Sequence, residues 1–199
     1  MEKIIFIRHG KTEGNLRKAY IGRTDESLCH EGISELEKKH YPAADIIISS
    51  PMKRCIETAE IIYPKVPVKI YDDLRECDFG RFENKNWKEM TGDAEYQAWV
   101  DSNATLPFPG GEDPQEFRDR ACQGFLEGLK LCAEAGTESA AFVVHGGIIM
   151  AVLERFADRK KAFYEWHVGN GEGYEAEADL VAWIDASGQQ PVLRGVNPI

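Results

Sequence analysis

An α/β three-layer sandwich with a mostly parallel central sheet is predicted by the way apolar runs and helical patterns alternate along this chain. Three runs, Ile4 to Ile7, Asp45 to Ser49 and Ala141 to Val144, have the length of buried strands. Each is followed by a turn residue and the start of a helical pattern. Strands that alternate with helices form a sheet covered on both faces, because each crossover helix lies back on the sheet it leaves.

Taken in order, the first strand is Ile4 to Ile7 and the second Asp45 to Ser49. After it Ser50 suits a helix N-cap and Pro51 the first helical position, while Met52, Cys55, Ile56, Ala59 and Ile62 make an apolar stripe at helical spacing. Val66 to Ile70 reads as a further strand, with Pro67 placing it near an edge or at a strand start. Residues 77 to 112 carry Gly80, Gly92, Pro107, Pro109, Gly110 and Gly111 among several aromatics, and predict an excursion from the sheet of the kind that commonly lies over a site. The longest helix is expected from about Asp113 to Ala135. Phe117, Ala121, Phe125 and Leu129 recur in it at four-residue steps, and Gly136 stops it. Strands near Leu180 to Ile184 and Val192 to Leu193 are expected to flank a turn at Asp185 to Gly188.

A chain of 199 residues, 43% hydrophobic, can bury one good core and is read as a single domain, 1–199. No apolar stretch is long enough for a membrane helix, and no apolar segment follows Glu2 and Lys3, which favours a cytoplasmic protein. The five cysteines, without C-x-x-C spacing, read as free thiols. A net charge of -10 without Lys/Arg runs argues against nucleic-acid or anionic-membrane partners. Nothing in the sequence sets an oligomeric state. Any positive charge for an anionic ligand must be gathered locally.

Such a gathering is present. Ligands of open α/β sheets bind beyond the carboxyl ends of the strands. The first strand empties into Arg8-His9-Gly10, the second into Ser49-Ser50-Pro51 with Arg54 one turn on, and the Ala141 strand into His145-Gly146-Gly147. Buried charge is costly unless matched, and an anion would match it. Arginine forks grip phosphate oxygens, helix N-termini offer free N–H groups, and glycines let the backbone approach, so the expected ligand is phosphate.

Arg8-His9-Gly10-Lys11-Thr12-Glu13-Gly14-Asn15 resembles the R-H-G-x-T/S-x-x-N signature of the histidine phosphatase, or phosphoglycerate-mutase-like, superfamily. Tyr20-Ile-Gly22 with Thr24-Asp25, Ser49 to Arg54 with Thr58-Ala59, Leu74 to Gly80 and Val144-His145-Gly146 follow in the family's order, so the resemblance spans residues 3 to about 185. It implies a phosphoglycerate mutase-like fold and a small phosphorylated substrate, with no metal or other cofactor. It implies His9 as the nucleophile that becomes phosphohistidine, and Arg8, Arg54 and a protonated His145 as stabilisers of the transferring group. Glu76 matches the general acid, while Thr12, Asn15, Gly22 and Gly146 match secondary phosphate or substrate contacts. Phe79-Gly-x-Phe-Glu83 and Pro109-Gly-Gly-Glu112 resemble members acting on α-ribazole phosphate, and occur in broad-specificity relatives as well. Lys11, where Glu is common, and Asn84-Lys85-Asn86 depart from the pattern. Gly169-Asn170-Gly171 is hard to align with the family pattern and receives no role, nor do His30, His40 and His167.

Plainer readings compete. Arg54 could pair with Glu57 or Asp25 on the surface, and His145 could be a core histidine bonded to the backbone. Asp72, Asp73, Asp78 or Glu83 could serve in place of Glu76. The rival functions are a phosphoglycerate mutase, a non-catalytic phosphate-binding module and a metal-dependent hydrolase using His9, His145 and Glu76. The short passage from Phe79-Gly80 to Trp87 favours hydrolysis over isomerisation, a pure binder has no use for a leaving-group acid, and no H-x-H or H-E-x-x-H spacing occurs.

Overall fold

The run at the N-terminus forms β1 (Glu2–Arg8), and its residues alternate between two cores. Ile4 and Phe6 face one side of the sheet, Ile5 and Ile7 the other. The computed structural model describes residues 1–186 and 189–199, so Ser187 and Gly188 of the expected turn lie outside the described residues. With β2 (Ile46–Ser49), β3 (Val68–Ile70), β4 (Ser139–Val144), β5 (Gly173–Ala178) and β6 (Arg194–Pro198), β1 builds a sheet of order β3-β2-β4-β1-β5-β6. β3, β2, β4 and β1 are parallel neighbours, while β5 and β6 run antiparallel.

Helices cover both faces. On one lie α5 (Pro114–Ala135) and α6 (Gly146–Phe156), packed through Phe125, Leu129, Ile149 and Val152 onto Ile4, Phe6, Ile48 and Phe142. On the other, α3 (Lys53–Ile62) brings Cys55 and Ala59 against Ile5, Ile47, Ala141 and Val143. Among the described residues there are four further short α-helices: α1 (Glu13–Leu16), α2 (His30–Lys38), α4 (Ala94–Asp101) and α7 (Leu180–Asp185). The architecture is the expected three-layer α/β sandwich, and among the described residues no helix is long and apolar enough to cross a membrane.

The long helix has the expected bounds. Asp113 caps it by accepting from the Gln115 and Glu116 N–H groups, Pro114 fills its first position, and Gly136 ends it at φ 64°. Phe125 is fully buried between Phe6, Phe142 and Phe156, which contributes roughly 2–3 kcal/mol by area. Gly128 is required by contact: a Cβ there would stand 2.8 Å from the Phe142 ring. β3 sits at the sheet edge, one of the two places Pro67 allowed.

The C-terminal third departs from expectation. Leu180 to Ile184 is a helix and not a strand, because Asp179 caps it through the Ala182 N–H at 2.9 Å and only Leu180 of the apolar run is buried. A short apolar run does not distinguish helix from strand. The strand in that region is β5, Gly-Tyr-Glu-Ala-Glu-Ala, whose residues have weak strand preference and are held by pairing with β1. Leu193 makes an isolated bridge to Ala157, and the last strand begins at Arg194. α3 starts at Lys53 with Met52 as its cap residue, so Ser50 is free for another partner.

Candidate active site

The parallel strands end together, and their C-terminal loops meet. The register pairs Arg8 with Val144, and the His9 N–H donates to the Val144 carbonyl at 2.9 Å. His9 and His145 therefore leave adjacent strands side by side, with ring centroids 5.2 Å apart. Both are buried, at 4% and 0% exposure, as is Arg54 at 0%.

His9 Nδ1 lies 2.7 Å from the Gly10 carbonyl. A carbonyl only accepts, so Nδ1 carries the proton and Nε2 keeps its lone pair. Behind it the Gly10 N–H donates to Thr58 Oγ1, which donates to the Arg54 carbonyl. His145 Nε2 is 2.7 Å from the Ser50 hydroxyl, a side-chain and not a backbone partner.

Arg54 is no surface residue. Its guanidinium donates to the carbonyls of Thr24 at 2.8 Å, Gly22 at 2.9 Å and Ile21 at 3.4 Å, while its Nε has no protein partner. Glu57 and Asp25 are engaged elsewhere, with the Leu28 and Lys53 N–H groups. Arg8 donates to the Val168 carbonyl at 2.7 Å, and its Nε too is buried without a partner. Buried donors left unpaired are exceptional and mark a place where a polar ligand fits.

Among the carboxylates near position 76, Glu76 itself lines the adjoining cavity of about 300 Å³. It accepts from its neighbour Cys77 and from the Gly147 N–H at the head of α6, at 3.0 and 3.1 Å. Asp78 bonds Arg23, and Glu83 accepts from the Gly22, Arg23 and Thr24 backbone. Burial raises the Glu76 pKa above the ordinary carboxylate value, against the opposing pull of the two N–H donors, Arg54 and Arg8.

Burial, then Arg54, lowers the pKa of both histidines well below 6.5. Before an anion binds, desolvation and the fields of Arg54, His9 and Arg8 work against the protonated His145 that the resemblance implies. A bound dianion would act in the opposite sense. The consequence for folding has a definite sign. With folded pKa values depressed, each histidine's contribution is complete above about pH 6.5 and declines on acidification toward the folded value, by up to about 1.4 kcal/mol per pH unit. Glu76, raised, contributes the other way and loses stability as pH rises through its folded value. Thermal melts of wild type and His145→Asn between about pH 7.5 and 5 are expected to show the steeper acid decline in wild type; parallel curves would contradict it.

The secondary positions are placed as follows. Thr12 caps α1, and its hydroxyl and N–H both donate to Asn15 Oδ1. The Gly22 N–H is taken by Glu83, and a Cβ there would stand 1.9 Å from the Cys77 carbonyl. Gly146 opens α6 against the Arg8 guanidinium and lines the cavity. Sequence reasoning missed Ser50 as the partner of His145, Glu83 as the hub of the 22–24 loop, and Asn170, whose amide donates to the His9 carbonyl. The Ser-Ser-Pro strand end was the one visible signal for the first; the other two depend on contacts distant in sequence. Among the described residues no group of three or more His, Cys, Asp and Glu side chains is arranged to hold a metal ion.

The fold and these side chains define a protein with a buried, cationic, two-histidine pocket at the carboxyl edge of a parallel sheet. Residues 4–184 match the model of the histidine phosphatase superfamily (branch 1), and the chain belongs to that family. It is similar to the phosphatase PhoE of Bacillus subtilis, at 31% identity over 77% of this chain and 76% of the relative. It is similar to the adenosylcobalamin/alpha-ribazole phosphatase of Salmonella typhimurium, at 26% identity over 89% of this chain and 90% of that one. Among solved structures, the phosphoglycerate mutase of Thermus thermophilus superposes with a TM-score of 0.68 at 28% identity, covering 88% and 92% of the two chains. The fold is phosphoglycerate mutase-like, and its family comprises phosphatases and mutases.

Proposed function

We propose that the chain is a phosphomonoesterase, folded as one domain and acting in the cytoplasm, that hydrolyses a small phosphorylated metabolite through phosphohistidine at His9. The observation that carries this reading is the His9 ring itself. Its Nδ1 is fixed on Gly10, its Nε2 is neutral, and it stands among His145, Arg8 and Arg54. Nε2 attacks phosphorus as the ester P–O bond breaks, and Glu76, whose pKa burial raises, gives its proton to the departing alkoxide. Glu76 then takes a proton from the water that attacks phosphohistidine, so inorganic phosphate leaves and the acid is restored. Arg8, Arg54, the Gly146 N–H and His145 stabilise the equatorial oxygens. Thr12, Asn15 and Gly22 act by bracing the loops that carry these groups. The five free cysteines, all buried, suit a reducing compartment.

The cavity beside Glu76 favours a phosphate ester that carries an aromatic base, such as α-ribazole 5'-phosphate, over a plain sugar phosphate, because Tyr20, Phe79, Trp99 and Phe108 line it. Phosphate release from α-ribazole 5'-phosphate, sugar phosphates and p-nitrophenyl phosphate, with and without chelator, tests the reading. Isomerisation of 3-phosphoglycerate without phosphate release would replace it with the mutase, and turnover abolished by chelator would replace it with a metal hydrolase.

Glu76→Gln is expected to slow transfer of the phosphoryl group to His9 about 10²–10³-fold with alkyl phosphates and far less with p-nitrophenyl phosphate, since nitrophenolate leaves unprotonated, while hydrolysis of phosphohistidine slows equally with either substrate. Because the acid form acts and its pKa is raised, wild-type rates on alkyl esters fall as pH climbs through that value. A pH–rate profile of the variant that retained this basic limb would assign the acid elsewhere.

A further inference from the structure

We infer that Asn170 is a positioning residue for the His9 nucleophile, an inference that rests on the proposed role of His9. Its Nδ2 lies 3.1 Å from the His9 carbonyl, 3.5 Å from the Gly10 carbonyl and 3.2 Å from Asn15 Oδ1. All three are acceptors, since Asn15 Oδ1 already receives the Thr12 N–H, so the amide orientation follows from chemistry. The next N–H, of Gly171, donates to the Arg8 and His9 carbonyls at 3.0 and 3.2 Å. The 170–171 turn is itself anchored, because the Gly171 carbonyl accepts from Tyr41 Oη at 2.9 Å and Lys39 Nζ at 3.0 Å.

The Gly10 carbonyl is what makes this contact consequential. It accepts the His9 Nδ1 proton at 2.7 Å and so sets both the tautomer and the direction of Nε2. Asn170 approaches the same oxygen and the preceding one. The amide thereby holds the peptide that aims the ring, through the backbone carbonyls and not through a ring nitrogen. In-line attack on phosphorus is sensitive to such aim, and a displacement of about 1 Å costs roughly 10²-fold.

The test uses Asn170→Ala and Asn170→Asp. The second keeps the shape but offers a carboxylate, without a donor, to two carbonyls. In both, kcat for p-nitrophenyl phosphate is expected to fall about 10²-fold. KM and inhibition by inorganic phosphate should stay within about threefold, because the anion-binding groups are untouched. Nitrogen-15 NMR of the His9 ring is expected to show the Nδ1–H form alone in wild type and a mixture of tautomers in the variants. Wild-type kcat in both variants, an unchanged ring spectrum, or loss of phosphate binding in parallel with kcat would each overturn the inference. The ring spectrum is read without turnover. An inactive wild type with a responsive spectrum would therefore refute the enzymatic reading and leave the positioning contact standing.

Discussion

His9→Ala is expected to lower turnover of p-nitrophenyl phosphate by about 10⁴-fold or more and to leave the fold intact. The ring is the only group proposed to bond covalently to phosphorus, and loss of a nucleophile removes the stepwise route instead of slowing it. What remains is binding and electrostatic stabilisation by Arg8, Arg54 and His145, which cannot replace the attacking lone pair. Folding should change little near pH 7, because the variant forfeits one hydrogen bond to Gly10 and relieves a buried ring next to two arginines. Phosphate bound to wild type should be trapped as an acid-labile, alkali-stable adduct when a substrate is quenched in mid-turnover, and no adduct should form in the variant. Comparable rates in the two proteins would sink the catalytic assignment.

Arg54→Ala should damage both stability and catalysis. Three backbone carbonyls, of Ile21, Gly22 and Thr24, lose their buried donor, and the side chain leaves a void beside two histidines. Breaking such an arrangement costs on the order of 3–5 kcal/mol, which for a chain of this length lowers Tm by roughly 10 °C. The 22–24 loop also loses its tie to α3, so kcat/KM is expected to drop about 10³-fold or more. Arg54→Lys keeps the charge but not the planar fork, and should recover stability in part and activity hardly at all. Inorganic phosphate should raise the Tm of wild type by mass action and leave that of Arg54→Ala unmoved. A stable Arg54→Ala enzyme that phosphate still protects would place the anion away from this guanidinium.

The difference between what could be read early and late lies in the range of the interactions. Strand ends, helix caps and the apolar stripe of α5 are local, so Asp113, Pro114 and Gly136 announced that helix and Ile4 to Ile7 announced β1. The candidate residues His9, Arg54 and His145 were legible because a parallel sheet delivers its strand ends to one rim whatever the loops do. Glu76 could be separated from Asp78 and Glu83 only in three dimensions, where Glu76 alone of these lines the cavity. β5 was illegible for the same reason, since Glu175 and Glu177 carry no strand signature and obtain their geometry from β1.

From residue order alone came the architecture, the gathering of cationic side chains at one edge and the class of ligand they suit. Contacts between distant segments decided the rest: the tautomer of His9, the burial of Arg54, the depressed pKa of His145, and the partners Ser50, Glu83 and Asn170. Period and capping act over a few residues, whereas desolvation and the field at a ring depend on every element packed around it, and those elements here lie up to 161 residues apart.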